Sequence, residues 1–181
     1  MNKITKTIAM VTALMISVVT INTNASATLF VRPEPYRVPE ARQEITASFD
    51  VLKGTHSKDE LVKALSRPGY DRFLPYVDTF LYVEKMYGTN ALYMLSTLGL
   101  ESGWGKYTTG KNNIAGWTGR TGYMDFDSID ECIVHVGRSI ATSYKKAVGS
   151  KLADVCWRYC PMDMYLGRIM DIMVTLDNRM R

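Results

Sequence analysis

The 181-residue sequence predicts an α+β domain that is mostly helical. Apolar side chains recur at helical spacing in three long stripes: Ala91, Leu95, Leu98; then Ile129, Ile133, Val136, Ile140, Tyr144; then Tyr165, Ile169, Ile172, Met173, Leu176. One region interrupts that pattern. Ile114-Ala115-Gly116-Trp117 and Tyr123-Met124-Asp125-Phe126 flank the glycine-rich Thr118-Gly119-Arg120-Thr121-Gly122, which reads as a small β-hairpin.

The N-terminus reads as a secretory signal peptide over residues 1–27. Lys3 and Lys6 form its positive end, residues 8–21 are apolar, and Ala25-Ser26-Ala27 supplies the small residues of a cleavage site. The apolar run falls short of the roughly 20 residues a spanning helix needs, which favours a cleaved signal peptide over the alternative of an uncleaved membrane anchor, and no membrane association is expected after cleavage. Residues 28–56, with Pro33, Pro35 and Pro39, read as a linker or an N-terminal arm, and residues 57–181 as the folded domain.

Net charge is +4, and losing Lys3 and Lys6 leaves it only mildly positive. That fits attraction to an anionic wall polymer and excludes the concentrated basic face of a nucleic-acid binder. The sequence has no glycine-rich phosphate loop and no zinc-type Cys/His spacing, so neither metal nor organic cofactor is expected. His56 and His135 are too far apart in sequence to form a metal site, and His135 reads as structural. Cys132, Cys156 and Cys160 are an odd number for an exported chain. Cys156 and Cys160 would share a helical face, near the limit for a disulfide; free buried thiols are the simpler reading.

Within the domain, Ser57-Lys58-Asp59-Glu60 is a capping box opening a helix that Arg67-Pro68-Gly69 stops. Phe73, Val77, Phe80, Glu84 and Tyr87 mark the next helix, broken at Gly88. A third runs from about Asn90 to Ser102, ended by Gly103 and Gly105. Its stripe continues to Glu101, which places a carboxyl group on the buried side of the last turn. Burial and the negative end of the helix dipole both favour the protonated form there, the requirement for a general acid. A hairpin beside this helix end would leave a groove for an extended polymer, with Trp104, Trp117 and Tyr123 along it. Their rings would either stack on sugars or fill a small core under the hairpin.

Glu101-Ser102-Gly103-Trp104-Gly105-Lys106, followed by Asn112-Asn113-Ile114-Ala115-Gly116, resembles the "ESGWGKS…NNxFGI" core of glucosaminidase-type peptidoglycan hydrolases, glycoside hydrolase family 73. Further similarity lies in Phe73-Leu74-Pro75-Tyr76-Val77 through Tyr87-Gly88, in Tyr123 to Ser128, and in Tyr159-Cys160-Pro161-Met162-Asp163-Met164-Tyr165, which is similar to the closing "YATDPxYAxxI". The resemblance implies a lysozyme-like helical lobe with a small β-hairpin lobe, and hydrolysis of the β-1,4 bond after N-acetylglucosamine in peptidoglycan glycan strands. It puts the general acid on Glu101, a cleft tyrosine on Tyr159, and substrate contacts on the Asn112-Asn113 segment. The signal peptide, for its part, predicts export, to the extracellular space, the cell wall or the periplasm.

Two departures stand out. The family's second carboxylate slot falls on Gly122, with Asp125 and Asp127 displaced from it, and Ala115 replaces an aromatic. The second catalytic group is then Asp125, the substrate's own acetamido group, or a water held by Tyr159 and backbone. A lytic transglycosylase acting after N-acetylmuramic acid, and a non-catalytic wall-binding module, are the alternatives to hydrolysis.

Overall fold

The computed structural model describes residues 49–54 and 56–181. The expected signal peptide and most of the expected linker lie outside these residues. Seven α-helices are described: α1 (Lys58–Leu65), α2 (Val77–Tyr87), α3 (Ala91–Ser102), α4 (Ile129–Ser139), α5 (Lys145–Val148), α6 (Leu152–Tyr159) and α7 (Asp163–Met180). None of them is long and apolar enough to cross a membrane.

Local sequence signals set most helix ends. Ser57 and Glu60 form the expected capping box on α1. Asn90 caps α3, its side-chain oxygen accepting the Tyr93 N–H at 3.0 Å, and Ser128 caps α4 by accepting from Glu131. A 3-10 turn over Asp71–Tyr76, which contains Pro75, leads into α2. The stripe from Ile129 to Tyr144 is not one regular helix. α4 passes at Ile140–Tyr144 into a π-helical turn before α5.

α3 is the axis of the domain. Every residue from Ala91 to Gly99 is buried, and the helix reaches solvent only at its C-terminal end. A helix apolar on all sides is the expected centre of a helical core. α7 packs along it, and α2 and α4 pack on each other, joined where Thr89 Oγ1 donates to the Gly137 carbonyl at 2.8 Å. The domain also begins before residue 57. Val51 is fully buried, its N–H bonds to the Ser150 carbonyl, and its carbonyl accepts from Asn90.

The hairpin expected over residues 114–126 does not form a ladder. The described residues contain isolated antiparallel bridges, Asp50 with Lys151, Thr109 with Asn113 and Thr118 with Tyr123, and no extended strand. The physical reason is Asn113. Its side-chain amide donates to the Trp117 and Met124 carbonyls, each at 2.8 Å, and accepts the Trp117 N–H at 2.9 Å. Backbone groups that would extend a ladder are engaged by one buried side chain, and only the turn at Thr118–Tyr123 remains paired.

Candidate active site

Glu101 sits in the last turn of α3, which stops at Gly103 in the left-handed conformation (φ 56°). Ser102 ties the turn down: its hydroxyl donates to the Leu98 carbonyl at 2.6 Å and accepts the Gly105 N–H at 2.7 Å. The expectation of a carboxyl on a buried stripe is corrected here. α3 has no exposed face until Leu100, and Glu101 itself keeps an open side to solvent. Protein still surrounds the carboxyl closely, and this local burial is the main cause that raises its pKa above the usual carboxylate value. An open side that admits substrate and a crowded side that favours the proton suit a group that donates a proton to a bound molecule.

One hydrogen bond opposes that shift. The Tyr165 hydroxyl, from α7, donates to Glu101 Oε1 at 2.8 Å. The Tyr165 ring stacks on Tyr159 with centroids 5.9 Å apart and planes 12° apart. Tyr159, at the end of α6, sends its own hydroxyl to the Ala115 carbonyl at 2.8 Å. The tyrosine selected from sequence therefore lies beside the carboxyl, while the residue bonded to Glu101 is Tyr165. Sequence reading placed Tyr165 in an apolar stripe and in the closing motif, with no role at the site. The signal it passed over is that a buried tyrosine needs a partner for its hydroxyl.

Aromatic rings continue outward from this pair. Trp117 meets Tyr159 edge-on at 5.9 Å, stacks on Tyr144 at 5.8 Å and touches His135 at 5.6 Å. Tyr144 stands at the end of the π-helical turn. Tyr123 is 46% exposed at the bridge with Thr118.

The other expected substrate contacts are placed differently. Trp104 turns inward, 4.2 Å from Tyr70 and 5.8 Å from Phe73 between ring centroids. Asn113 is 1% exposed and braces the loop as described above. Asn112, in the left-handed region at φ 55°, donates to the Phe126 and Asp127 carbonyls. Asp125 Oδ1 accepts the Lys111 N–H at 2.7 Å, and Asp127 pairs with Lys111 Nζ at 3.3 Å. No second carboxylate among the described residues contributes to the shift at Glu101.

Cys132, Cys156 and Cys160 are free thiols. Burial pushes Cys132 up to about 11 and Cys156 up to about 12, so neither is a nucleophile at neutral pH. Burial also lowers the His135 pKa. No cluster of three or more His, Cys, Asp or Glu able to hold a metal occurs among the described residues. A cavity of about 400 Å³ lined by Lys53, His56, Glu60, Asn90, Asp177 and Arg181 shares no residue with the Glu101 cluster. Its rim carries charges of both signs, and the Glu101 cluster is the better candidate on chemical grounds.

The chain matches no protein-family model and, by sequence, no curated protein. Among solved structures it is similar to a catalytic mutant of S. aureus autolysin E, glutamate replaced by alanine, in complex with the disaccharide NAG-NAM. The TM-score is 0.56 at 17% sequence identity, over 74% of this chain and 72% of that one. At this identity the likeness establishes a shared fold.

Proposed function

We propose that this chain hydrolyses bacterial cell-wall glycan as a glucosaminidase-type peptidoglycan hydrolase, with Glu101 as the general acid. The observation that carries the reading is the carboxyl itself. It stands at the end of a buried helix, open on one side, with its pKa raised by burial and one oxygen held by a tyrosine. Further support comes from the fold shared with autolysin E, whose solved structure is a glutamate mutant binding NAG-NAM. The motif resemblance around Glu101 supports cleavage after N-acetylglucosamine. The rings of Tyr159, Trp117 and Tyr144, backed by the buried Tyr165, would flank the sugar. The protein would act outside the cytoplasmic membrane after loss of residues 1–27.

A lytic transglycosylase is the second reading. It is favoured by one feature, that Asp125, the second carboxylate expected from sequence, is bonded to the Lys111 N–H. Both readings keep Glu101 as acid and differ in the acceptor, water or the sugar's own hydroxyl.

Digestion of purified cell walls in heavy-oxygen water, followed by borohydride reduction and mass spectrometry, tests the proposal. Hydrolysis predicts labelled N-acetylglucosamine at the new reducing end. Unlabelled anhydro-muramyl ends as the main product would sink the glucosaminidase assignment. Glu101→Gln should lose about a hundred- to ten-thousand-fold in rate while remaining folded. Wall binding without any lysis by the wild-type protein would favour a binding module instead.

A further inference from the structure

Tyr165 is 6% exposed, and its ring is held by the stack on Tyr159, which is itself fixed by the Ala115 carbonyl. The hydroxyl is therefore presented to Glu101 Oε1 with little freedom to turn away. Burial first, and the Glu101 charge second, raise the Tyr165 phenol well above its ordinary value, so it is a permanent donor. The carbonyl oxygen of a neutral carboxyl is a much better acceptor than its hydroxyl oxygen. A donor fixed on Oε1 makes that atom the carbonyl oxygen and leaves the proton on Oε2. As the proton departs, Oε1 gains charge and the hydrogen bond becomes charge-assisted, roughly doubling in strength. An interaction that strengthens along the reaction acts on kcat more than on KM.

We propose that Tyr165 is the positioning residue that selects the reactive oxygen of Glu101, holding Oε1 so that Oε2 carries the transferable proton, and stabilising the carboxylate as it forms. The inference rests on the general-acid reading of Glu101. The other titratable groups on which the Glu101 charge acts are Tyr93, from its own helix, and Tyr159 and Cys160 at the end of α6. Burial raises all of them, so each is neutral at working pH and none supplies a competing charge. The Tyr159 hydroxyl is already committed to Ala115, which leaves Tyr165 as the donor.

Tyr165→Phe keeps the ring and its stack and removes only the hydroxyl. The ionisation of the Glu101 carboxyl, followed by carbon-13 NMR titration of the full chain, should move upward in Tyr165→Phe and stay in place in Tyr159→Phe. On cell-wall substrate, kcat of Tyr165→Phe should fall about tenfold with KM little changed. The basic limb of its kcat profile should shift upward together with the carboxyl, because the acid must be protonated to act. An unchanged titration in a folded variant overturns the proposal. If the phenylalanine variant does not fold, site-specific 3-fluorotyrosine at position 165 replaces it. That stronger donor should move the Glu101 ionisation downward, and no movement again overturns the proposal. Wall lysis retained by Glu101→Gln would instead defeat the general-acid reading and leave the titration result standing, so the two failures are distinguishable.

Discussion

Glu84 holds His56 by two bonds at once: Oε1 accepts the His56 backbone N–H at 2.8 Å, and Oε2 meets His56 Nδ1 at 2.8 Å. Oε2 also accepts the Ala91 N–H at 2.7 Å, in the first turn of α3. One buried carboxylate thus fastens the segment before α1 to the N-terminus of the helix that ends at Glu101. The contact is close enough that a Cβ on Gly54 would lie 2.0 Å from Glu84 Oε2. The two carboxylates sit at opposite ends of α3 and are driven in opposite directions. Burial raises both, but at Glu84 the hydrogen bonds from His56 and Ala91, together with the His56 charge, outweigh it and the net pKa is lowered. The Ala91 N–H at the helix N-terminus and the two His56 contacts favour the ion at Glu84, while Glu101 has one tyrosine hydroxyl and no such support.

This difference predicts an acid-labile anchor. A carboxylate whose folded pKa lies below its unfolded value contributes stability above the unfolded value, and that contribution is lost as pH falls through the folded one. Glu84→Gln should therefore destabilise the protein at neutral pH by about 1–3 kcal/mol, the cost of weakening buried hydrogen bonds. The gap between wild type and variant should narrow as the solution is acidified below the ordinary carboxylate range. Urea unfolding of both proteins at neutral and acidic pH measures it, and a gap independent of pH would show that the charge on Glu84 is not what matters.

Gly99 is the next test, because an alanine normally improves a helix interior by about 1 kcal/mol over glycine. Here a Cβ would lie 2.8 Å from the Trp104 indole, which the left-handed backbone at Trp104 (φ 62°) folds back over α3. Gly99→Ala should therefore lower the melting temperature, at an overpacking cost of roughly 1–3 kcal/mol. It should also alter tryptophan fluorescence as the indole is displaced from Tyr70 and Phe73. A rise in melting temperature would mean that the ring yields without cost.

These two sites show what could be read from the chain and what could not. The Ser57 capping box, the break at Gly88 and the stop at Gly103 were legible because each is a contact among near neighbours in sequence. Glu101 was legible as the last turn of a helix, but its open side was not. The stripe rule assumes one buried face, and α3 is buried on all of them. Trp104 and Asn113 read equally well as ligands for sugar. Only the packing of Trp104 on Tyr70 and Gly99, and the reach of one amide to both Trp117 and Met124, show that their side chains serve the fold. Tyr165 and Glu101 are 64 residues apart, a separation that no local pattern encodes.

Asn113→Ala should loosen the loop that replaces the hairpin. The change removes two donors and one acceptor from a fully enclosed site, each lost buried bond costing roughly 1–3 kcal/mol. The Trp117 amide should exchange with solvent much faster, since Asn113 Oδ1 is its acceptor. Hydrogen exchange resolved at Trp117 reads this directly. Protection equal to wild type would mean that the loop is held by other contacts.

The last prediction concerns the partner of Glu101. Hydrolysis ordinarily uses a second carboxyl group, and Asp125 is the aspartate expected from sequence. Asp125 is exposed, its Oδ1 accepts the Lys111 N–H, and a Cβ on Gly110 would lie 2.8 Å from that oxygen, so one of its two oxygens is already tied to the loop backbone. Asparagine keeps an acceptor oxygen at the same place. If Asp125 only braces the loop, Asp125→Asn should retain wall hydrolysis within a few-fold, and Asp127→Asn, whose partner is the exposed Lys111 ammonium, should do the same. Two candidates then remain, a water held by Tyr159 and backbone, and the carbonyl oxygen of the substrate's own acetamido group, which can reach the anomeric carbon without any protein base. Replacing that acetamido group with a trifluoroacetamido group weakens the oxygen as a nucleophile and should slow hydrolysis by wild type and Asp125→Asn alike. A loss of hydrolysis comparable to that of Glu101→Gln in Asp125→Asn, with the fold intact, would restore Asp125 as the base.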